Sequence, residues 1–220
     1  MQVKDKIIVV TGGASGIGRE LASRFTKDGA ARVVIADRNE DGLNAVATDI
    51  GALPKVTDVA KEGEIRELVQ FAEDQAGPID LFCSNAGIAV YGDLENSNQE
   101  WQRVWEVNLM SHVYAARAVV PSMISRGGGY LLNTASAAGL LSQIGSSTYS
   151  VTKHAAVGFA EWLSITYGDQ GIKVSLLCPQ AVRTAMTADL ENGGVAGVDG
   201  MMETEELADA VIQTLSLIHI

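Results

Sequence analysis

The sequence predicts an α/β protein, a single domain built as a doubly wound parallel sheet of the Rossmann type, and three observations carry this. Short β-branched runs alternate with longer helical patterns along the whole chain, the mark of parallel strands joined by crossover helices. Several of the strand runs are continuously apolar, as expected where helices cover both faces of a sheet. The polar, chemistry-bearing residues fall just after those runs, at the carboxyl ends of the strands where such sheets bind ligands.

The strands are expected at Ile7–Val10, Arg32–Ala36, Leu53–Thr57, Ile79–Ser84, Tyr130–Thr134 and Lys173–Cys178. Helices are expected at about 16–28, 40–50, 61–76, 101–126 and 149–169, and the tail "GVAGVDGMMETEELADAVIQTL" reads as a Gly-rich loop and an amphipathic helix. With 220 residues, 47% of them hydrophobic, and no repeat or linker, residues 1–220 suit one compact domain. A net charge of −11 repels phosphate backbones and anionic lipid, so no nucleic-acid and no membrane partner is expected. The two cysteines, Cys83 and Cys178, each close an apolar run and read as reduced core thiols; neither has a metal-ligand neighbour, so no metal site is expected. "MQVKDKIIVVTGG" is too poor in apolar residues for a signal peptide and no run approaches transmembrane length, which predicts a cytoplasmic protein.

"VVTGGASGIGRE" follows the first strand and opens the first helix. Gly12 suits a tight turn, Gly16 lets the backbone approach a pyrophosphate, Gly18 allows close helix–sheet contact, and the helix N-terminus offers free N–H groups to phosphate. Asp37 ends the second strand, where a carboxylate accepts from adenosine ribose hydroxyls and repels a 2′-phosphate. Arg38 beside it is suited to pair with that phosphate, so NAD is the expected cofactor and NADP the alternative. Asp58 and Val59 end the third strand, with the Asp side chain set to meet the adenine amino group. "SNAG" (84–87) ends the fourth, small enough to let the backbone reach a ribose.

In "YSVTK" (149–153) a tyrosine and a lysine lie four apart at the start of a helix, so both leave one face. A phenol is a poor base at neutral pH, and a neighbouring ammonium lowers its pKa. Taken in order, T-G-x-x-x-G-I-G (Thr11 to Gly18), Asp37, Asp58–Val59, N-A-G (Asn85 to Gly87), Asn108 in "VNL", Ser136, Tyr149-x3-Lys153 and "PQAVRT" resemble the short-chain dehydrogenase/reductase family over residues 5 to about 212. The resemblance implies an NAD(P)-dependent alcohol dehydrogenase or carbonyl reductase acting on a small-molecule alcohol or carbonyl. Tyr149 would transfer the proton as the nicotinamide transfers hydride, Lys153 would lower the phenol's pKa and hold the nicotinamide ribose, and Ser136 would donate to the substrate oxygen. Asn108 would order a water linking Lys153 to solvent. The cofactor would be held by Gly12, Ser15, Gly16, Ile17, Gly18, Asp37, Arg38, Asp58, Val59, Asn85, Ala86, Gly87, Tyr149, Lys153, Pro179, Val182 and Thr184.

The same resemblance implies packing of the 101–126 and 149–169 helices against symmetry mates. A homodimer is therefore expected, with a homotetramer as the larger alternative, and Ala155, Ala156 and Gly158 suit close helix approach. The segment Ala185–Met202 is the expected pocket lid. Its small apolar residues, with Val90, Leu140, Leu141 and Ile144, suit an uncharged substrate. The last six residues, "LSLIHI", depart from the family's ending. One reading makes them an abbreviated seventh strand. The other, which we favour, is that 215–220 translate a transposon-end sequencing adapter, leaving the sheet without that strand. Nucleotide-sugar epimerases share Tyr-x3-Lys but resemble T-G-x-x-G-x-x-G, which this chain lacks. A non-catalytic nucleotide-binding protein, or an inactive truncated fragment, is the alternative from a different class.

Overall fold

A computed structural model describes residues 1–188 and 200–216 of the chain. Six strands, β1 (Ile7–Thr11), β2 (Arg32–Asp37), β3 (Leu53–Val56), β4 (Leu81–Ser84), β5 (Gly129–Thr134) and β6 (Ile172–Leu177), form one sheet in the order β3-β2-β1-β4-β5-β6. Every pairing is parallel. Helices α1 (Gly16–Lys27), α2 (Glu40–Ile50), α3 (Glu62–Gln75), α4 (Asn98–Trp105), α5 (Ser111–Ser125), α6 (Ser147–Tyr167) and α7 (Thr204–Ser216) lie between and after the strands.

Alternation along the strands divides the core into two layers. Ile8 and Val10 of β1 and Ile35 of β2 pack with Leu21, Phe25 and Leu43 of α1 and α2 and with Val211 and Leu215 of α7. Val9 and Val34 point to the other face, where Ile65 and Leu68 of α3, Val119 and Met123 of α5 and Leu163 of α6 cover them. Both faces of the central strands are thus buried, which is why several strands read as continuous apolar runs.

Local chemistry sets the element ends. Asn39 caps α2 by accepting from Gly42 N–H at 3.2 Å, and Gly51 closes it with a φ of 70°. Ser97 and Glu100 form a reciprocal capping box at the start of α4. The single helix expected over 101–126 is instead α4, a π-helical turn over Glu106–Met110, and α5. The wide turn places Asn108 inside the protein, fully buried.

Leu215 and Ser216 end α7, and Leu215 is in the core, so the first two residues of "LSLIHI" are helical and not part of a strand. Residues 217–220, and residues 189–199 of the expected lid, lie outside the described residues. Among the described residues, β6 is an edge strand. No described helix is long and apolar enough to cross a membrane. β1 sits between β2 and β4, so the crossovers run in opposite directions from it, and this reversal opens a crevice at the carboxyl ends of β1 and β4.

Candidate functional site

A cleft of about 300 Å³ occupies that crevice. At its floor the chain leaves β1 through Gly12, with a φ of 71°, and enters α1 through Gly16, with a φ of 53°. Both are left-handed conformations that glycine adopts without strain. Gly18 is needed for a different reason: a Cβ there would stand 2.2 Å from the Gly12 carbonyl oxygen and 2.7 Å from Asn85 Nδ2. Gly12, Ser15, Gly16 and Ile17 line the cleft, whereas Gly18 lies beneath it and sets how closely α1 approaches the turn. Ser15 gives α1 no side-chain cap, so the first N–H groups of the helix face the cleft without a side-chain partner. That arrangement fits a pyrophosphate.

The nucleotide end of the cleft is bounded by Asp37, Arg38, Asp58 and Val59. Asp37 accepts from Ala14 N–H at 3.2 Å and from Asn39 N–H at 3.0 Å, tying the Gly-rich turn to the end of β2. Arg38 is exposed. Asp58 accepts from Ala60 N–H at 3.1 Å and lies 3.4 Å from Arg103 Nη2. Asn85, Ala86 and Gly87 line the middle. The Asn85 side chain works as a clamp: its Nδ2 donates to the Thr11 carbonyl at 3.1 Å, and its Oδ1 accepts from Thr134 Oγ1 at 3.2 Å. Thr11 Oγ1 in turn accepts from the N–H groups of Asn85 and Ala86 at 3.0 and 3.1 Å. Three strand ends are locked together by this network, leaving the backbone of 85–87 to face the cleft.

At the far end stand Tyr149 and Lys153, one turn apart on α6, with Lys153 Nζ 5.5 Å from the centre of the phenol ring. Lys153 Nζ donates to the Thr134 carbonyl at 3.0 Å. Burial pushes Lys153 down to about 8. Burial also raises the Tyr149 phenol, with the Ser136 hydroxyl pulling the other way and the Tyr91 phenol adding to the rise. The phenol is thus held above its usual value rather than below it. Ser136 is buried at the end of β5, where its Oγ accepts from Ala138 N–H at 3.1 Å. Asn108 Nδ2 donates to the Ile88 carbonyl at 2.9 Å and to Thr152 Oγ1 at 3.3 Å, and its Oδ1 accepts from Ile88 N–H at 2.9 Å. Its amide therefore fixes the loop that follows Gly87, and neither Asn108 nor Ser136 lines the cleft itself.

Pro179, after β6, and Thr184 line the cleft, with Thr184 packed beside Gly16. Val182 does not line it; it is buried and pairs with Met202. Arg183, next to it, is ion-paired with Glu203 at 2.7 Å. Ala156, assigned to helix approach, is buried within the subunit, while Gly158 is exposed. Sequence reasoning missed Arg103, Val107, Thr134 and Ile88, which also line the cleft, whereas Ala185 and Met186 fall within the expected lid. No local pattern signals Arg103, which reaches the cleft beside Asp58. Among the described residues no group of three or more His, Cys, Asp or Glu is placed to hold a metal ion.

Comparison with known proteins agrees with this geometry. Residues 6–193 match the family model for short chain dehydrogenase. The chain is 36% identical over 226 residues to 1-deoxy-11-beta-hydroxypentalenate dehydrogenase of Streptomyces exfoliatus, covering 98% of this chain and 81% of that protein. It is 33% identical over 218 residues to an uncharacterized oxidoreductase of Staphylococcus aureus strain MRSA252, covering 96% and 91% respectively. The crystal structure of a short chain dehydrogenase/reductase from Burkholderia phymatum in complex with NAD aligns with a TM-score of 0.89 at 27% identity, covering 98% of this chain and 87% of that one. With its fold, its Gly-rich turn and nearly its whole length matched, the chain belongs to the short chain dehydrogenase family, a family of oxidoreductases.

Proposed function

We propose that this chain is an NAD-dependent oxidoreductase that moves hydride between the nicotinamide and a secondary alcohol or its carbonyl, with Tyr149 as the acid–base group. The observation that carries the reading is a single cleft with a phosphate-accepting turn at one end and the Tyr149–Lys153 pair at the other. NAD, when bound, supplies the hydride acceptor and, reduced, the hydride donor. The α1 N-terminus and the Gly12–Gly18 turn hold the pyrophosphate, and the clamp through Asn85 keeps that turn rigid. Asp37 accepts from the ribose hydroxyls and disfavours a 2′-phosphate, which makes NAD the preferred cofactor; Arg38 keeps NADP as the alternative.

Tyr149 accepts the hydroxyl proton during oxidation and donates it during reduction. The raised phenol is fully protonated at neutral pH, the form that reduction needs. Lys153, at about 8, is mostly cationic there and favours the phenolate whenever it forms. Ser136 donates to the substrate oxygen as charge develops on it. Asn108 holds the Ile88 loop against Thr152, one residue from Lys153, and so positions the lysine side of the site. Exposed Trp105, Val151, Trp162 and Ile165 on α4 and α6 support a homodimer built on those helices.

Tyr149→Phe tests the reading. Turnover of alcohols and ketones should fall by roughly a thousandfold, while NADH fluorescence still reports binding. Unchanged turnover would remove Tyr149 from the chemistry. A wild-type protein that binds NADH but turns over no alcohol or ketone would be a nucleotide-binding protein instead.

A further inference from the structure

We infer that Thr152 is a positioning residue: its hydroxyl ties α6 to the chain that follows β4 and so sets where Tyr149 and Lys153 stand in the cleft. This deepens the acid–base reading of that pair and rests on it. Helix α6 carries two pairs with the same spacing. Thr148 and Thr152 form one; Tyr149 and Lys153 form the other, one residue on and so about 100° round the helix. Both threonines are fully buried. Valine has nearly the same shape, and what threonine adds at a buried position is a hydroxyl that must find partners.

Those partners fasten the helix to elements distant in sequence. Thr148 Oγ1 donates to the Val90 carbonyl at 3.3 Å, where Ser146 Oγ also donates at 2.9 Å. Thr152 Oγ1 donates within α6, to the Thr148 carbonyl at 2.9 Å and the Tyr149 carbonyl at 3.0 Å, an ordinary bond for a helical threonine. Its second role reaches outside the helix. It accepts from Asn108 Nδ2 at 3.3 Å, across from the π-helical turn. The Ile88 carbonyl takes the other Nδ2 hydrogen at 2.9 Å, so both amide hydrogens of Asn108 are committed.

These contacts end at the reacting pair. A Cβ on Gly87 would stand 3.4 Å from Asn108 Oδ1 and 3.4 Å from Lys153 Nζ, so the amide, Gly87 and the ammonium meet at one point of the cleft wall. Without the Thr152 hydroxyl, one Asn108 N–H is left buried and unpaired. The amide must then shift, and with it Ile88 or α6, and either movement displaces Lys153 against Gly87. Thr152 does not line the cleft, so it acts through these neighbours and not by touching a ligand. Other titratable groups also face the pair: Tyr91 from the loop after β4, His112 of α5 and Cys178 just after β6. Thr152 carries no charge, so replacing it leaves all of them in place.

The test compares Thr152→Val with Thr152→Ser in the full chain. For Thr152→Val, kcat for oxidation of a secondary alcohol that the wild type turns over should fall about tenfold, with KM changed far less. The alkaline limb of its kcat/KM profile should move up by roughly half a pH unit or more, because a displaced ammonium favours the phenolate less. NADH affinity, read by fluorescence, should fall roughly fivefold, while AMP affinity, read by calorimetry, stays within about twofold. Thr152→Ser keeps the hydroxyl and should match the wild type in each. If Thr152→Val leaves kcat, limb and NADH affinity unchanged, the inference is overturned, even where its Tm drops, since the hydroxyl then serves stability alone. A loss in Thr152→Ser as large as in Thr152→Val also overturns it, by assigning the effect to the methyl group. Should Thr152→Val not fold, Thr152→Ala removes the same hydroxyl and carries the same expectations. A wild type that binds NADH but turns over no alcohol or ketone overturns the acid–base reading of Tyr149 instead. NADH against AMP then decides: loss for NADH alone keeps the positioning of the pair, and equal effects on both overturn it.

Discussion

Tyr149, Lys153 and His112 gather beside the end of β5, and burial moves each toward its neutral form. In the proposed mechanism the first two serve proton transfer. His112 has no such use: it is buried on α5, neither ring nitrogen has a hydrogen-bond partner, and the nearby Asn133 Nδ2 is also unpaired. Burial, with the Lys153 ammonium adding to it and Asn133 opposing, pushes the imidazole down to about 3 from 6.5. The folded pKa is thus depressed. Between pH 6.5 and 3 the unfolded chain binds a proton that the native protein refuses, so stability is whole above 6.5 and is lost as pH falls toward 3. The loss attributable to this one residue is on the order of a few kcal/mol. His112→Leu removes the titrating group and two unsatisfied nitrogens. Its urea midpoint should match or exceed the wild type at pH 7 and fall less between pH 7 and 4.5. Parallel pH dependence in the two proteins would show that His112 finds a partner in solution.

At the level of elements, the turn between β1 and α1 allows the least variation. A Cβ on Gly18 meets backbone, the Gly12 carbonyl, rather than the tip of a flexible side chain. Gly18→Ala should therefore push α1 off the turn, weaken NADH binding at least tenfold and lower stability by about 1–3 kcal/mol; equilibrium unfolding and fluorescence titration measure both. Binding within twofold of wild type would mean that α1 adjusts without losing its phosphate contacts. This turn was legible in the sequence because each glycine answers to a local backbone demand between a strand and a helix. The six strands were legible too, within a residue or two, the central ones because two-sided burial leaves continuous apolar runs, the outer β3 and β6 from their place in the alternation with helices. The break between α4 and α5 was not. "WEVNLMSH" keeps its helical pattern through the π-helical turn, and what places Asn108 inward is the Ile88 backbone and Thr152, both distant in sequence. Arg103 escaped for a similar reason: its place at the cleft depends on Asp58, which only the folded β3 end brings to it.

Across the whole molecule the cleft joins the two halves of the sheet, with Gly12, Asp37 and Asp58 at the ends of β1 to β3 and Gly87, Thr134, Tyr149 and Pro179 at or after β4 to β6. A cofactor that spans it binds only when both halves are folded and docked, so occupancy should stabilise the entire domain and not one lobe. At a hundred times its Kd, a ligand specific for the native state adds about 2.7 kcal/mol. For a domain of this size that corresponds to a rise in Tm of roughly 5–10 °C. The same scan separates the cofactors. The Asp37 carboxylate already holds Ala14 and Asn39 N–H groups at the ribose end, and a 2′-phosphate placed there meets a fixed negative charge. Arg38 is exposed and keeps most of its attraction screened by water. At equal concentrations NADH should therefore raise Tm more than NADPH, and AMP, which reaches only the β1–β3 side, should raise it least. Equal shifts for NADH and NADPH would mean that Arg38 offsets Asp37. A shift from AMP as large as that from NADH would mean that the nicotinamide end near Tyr149 contributes nothing to holding the two halves together.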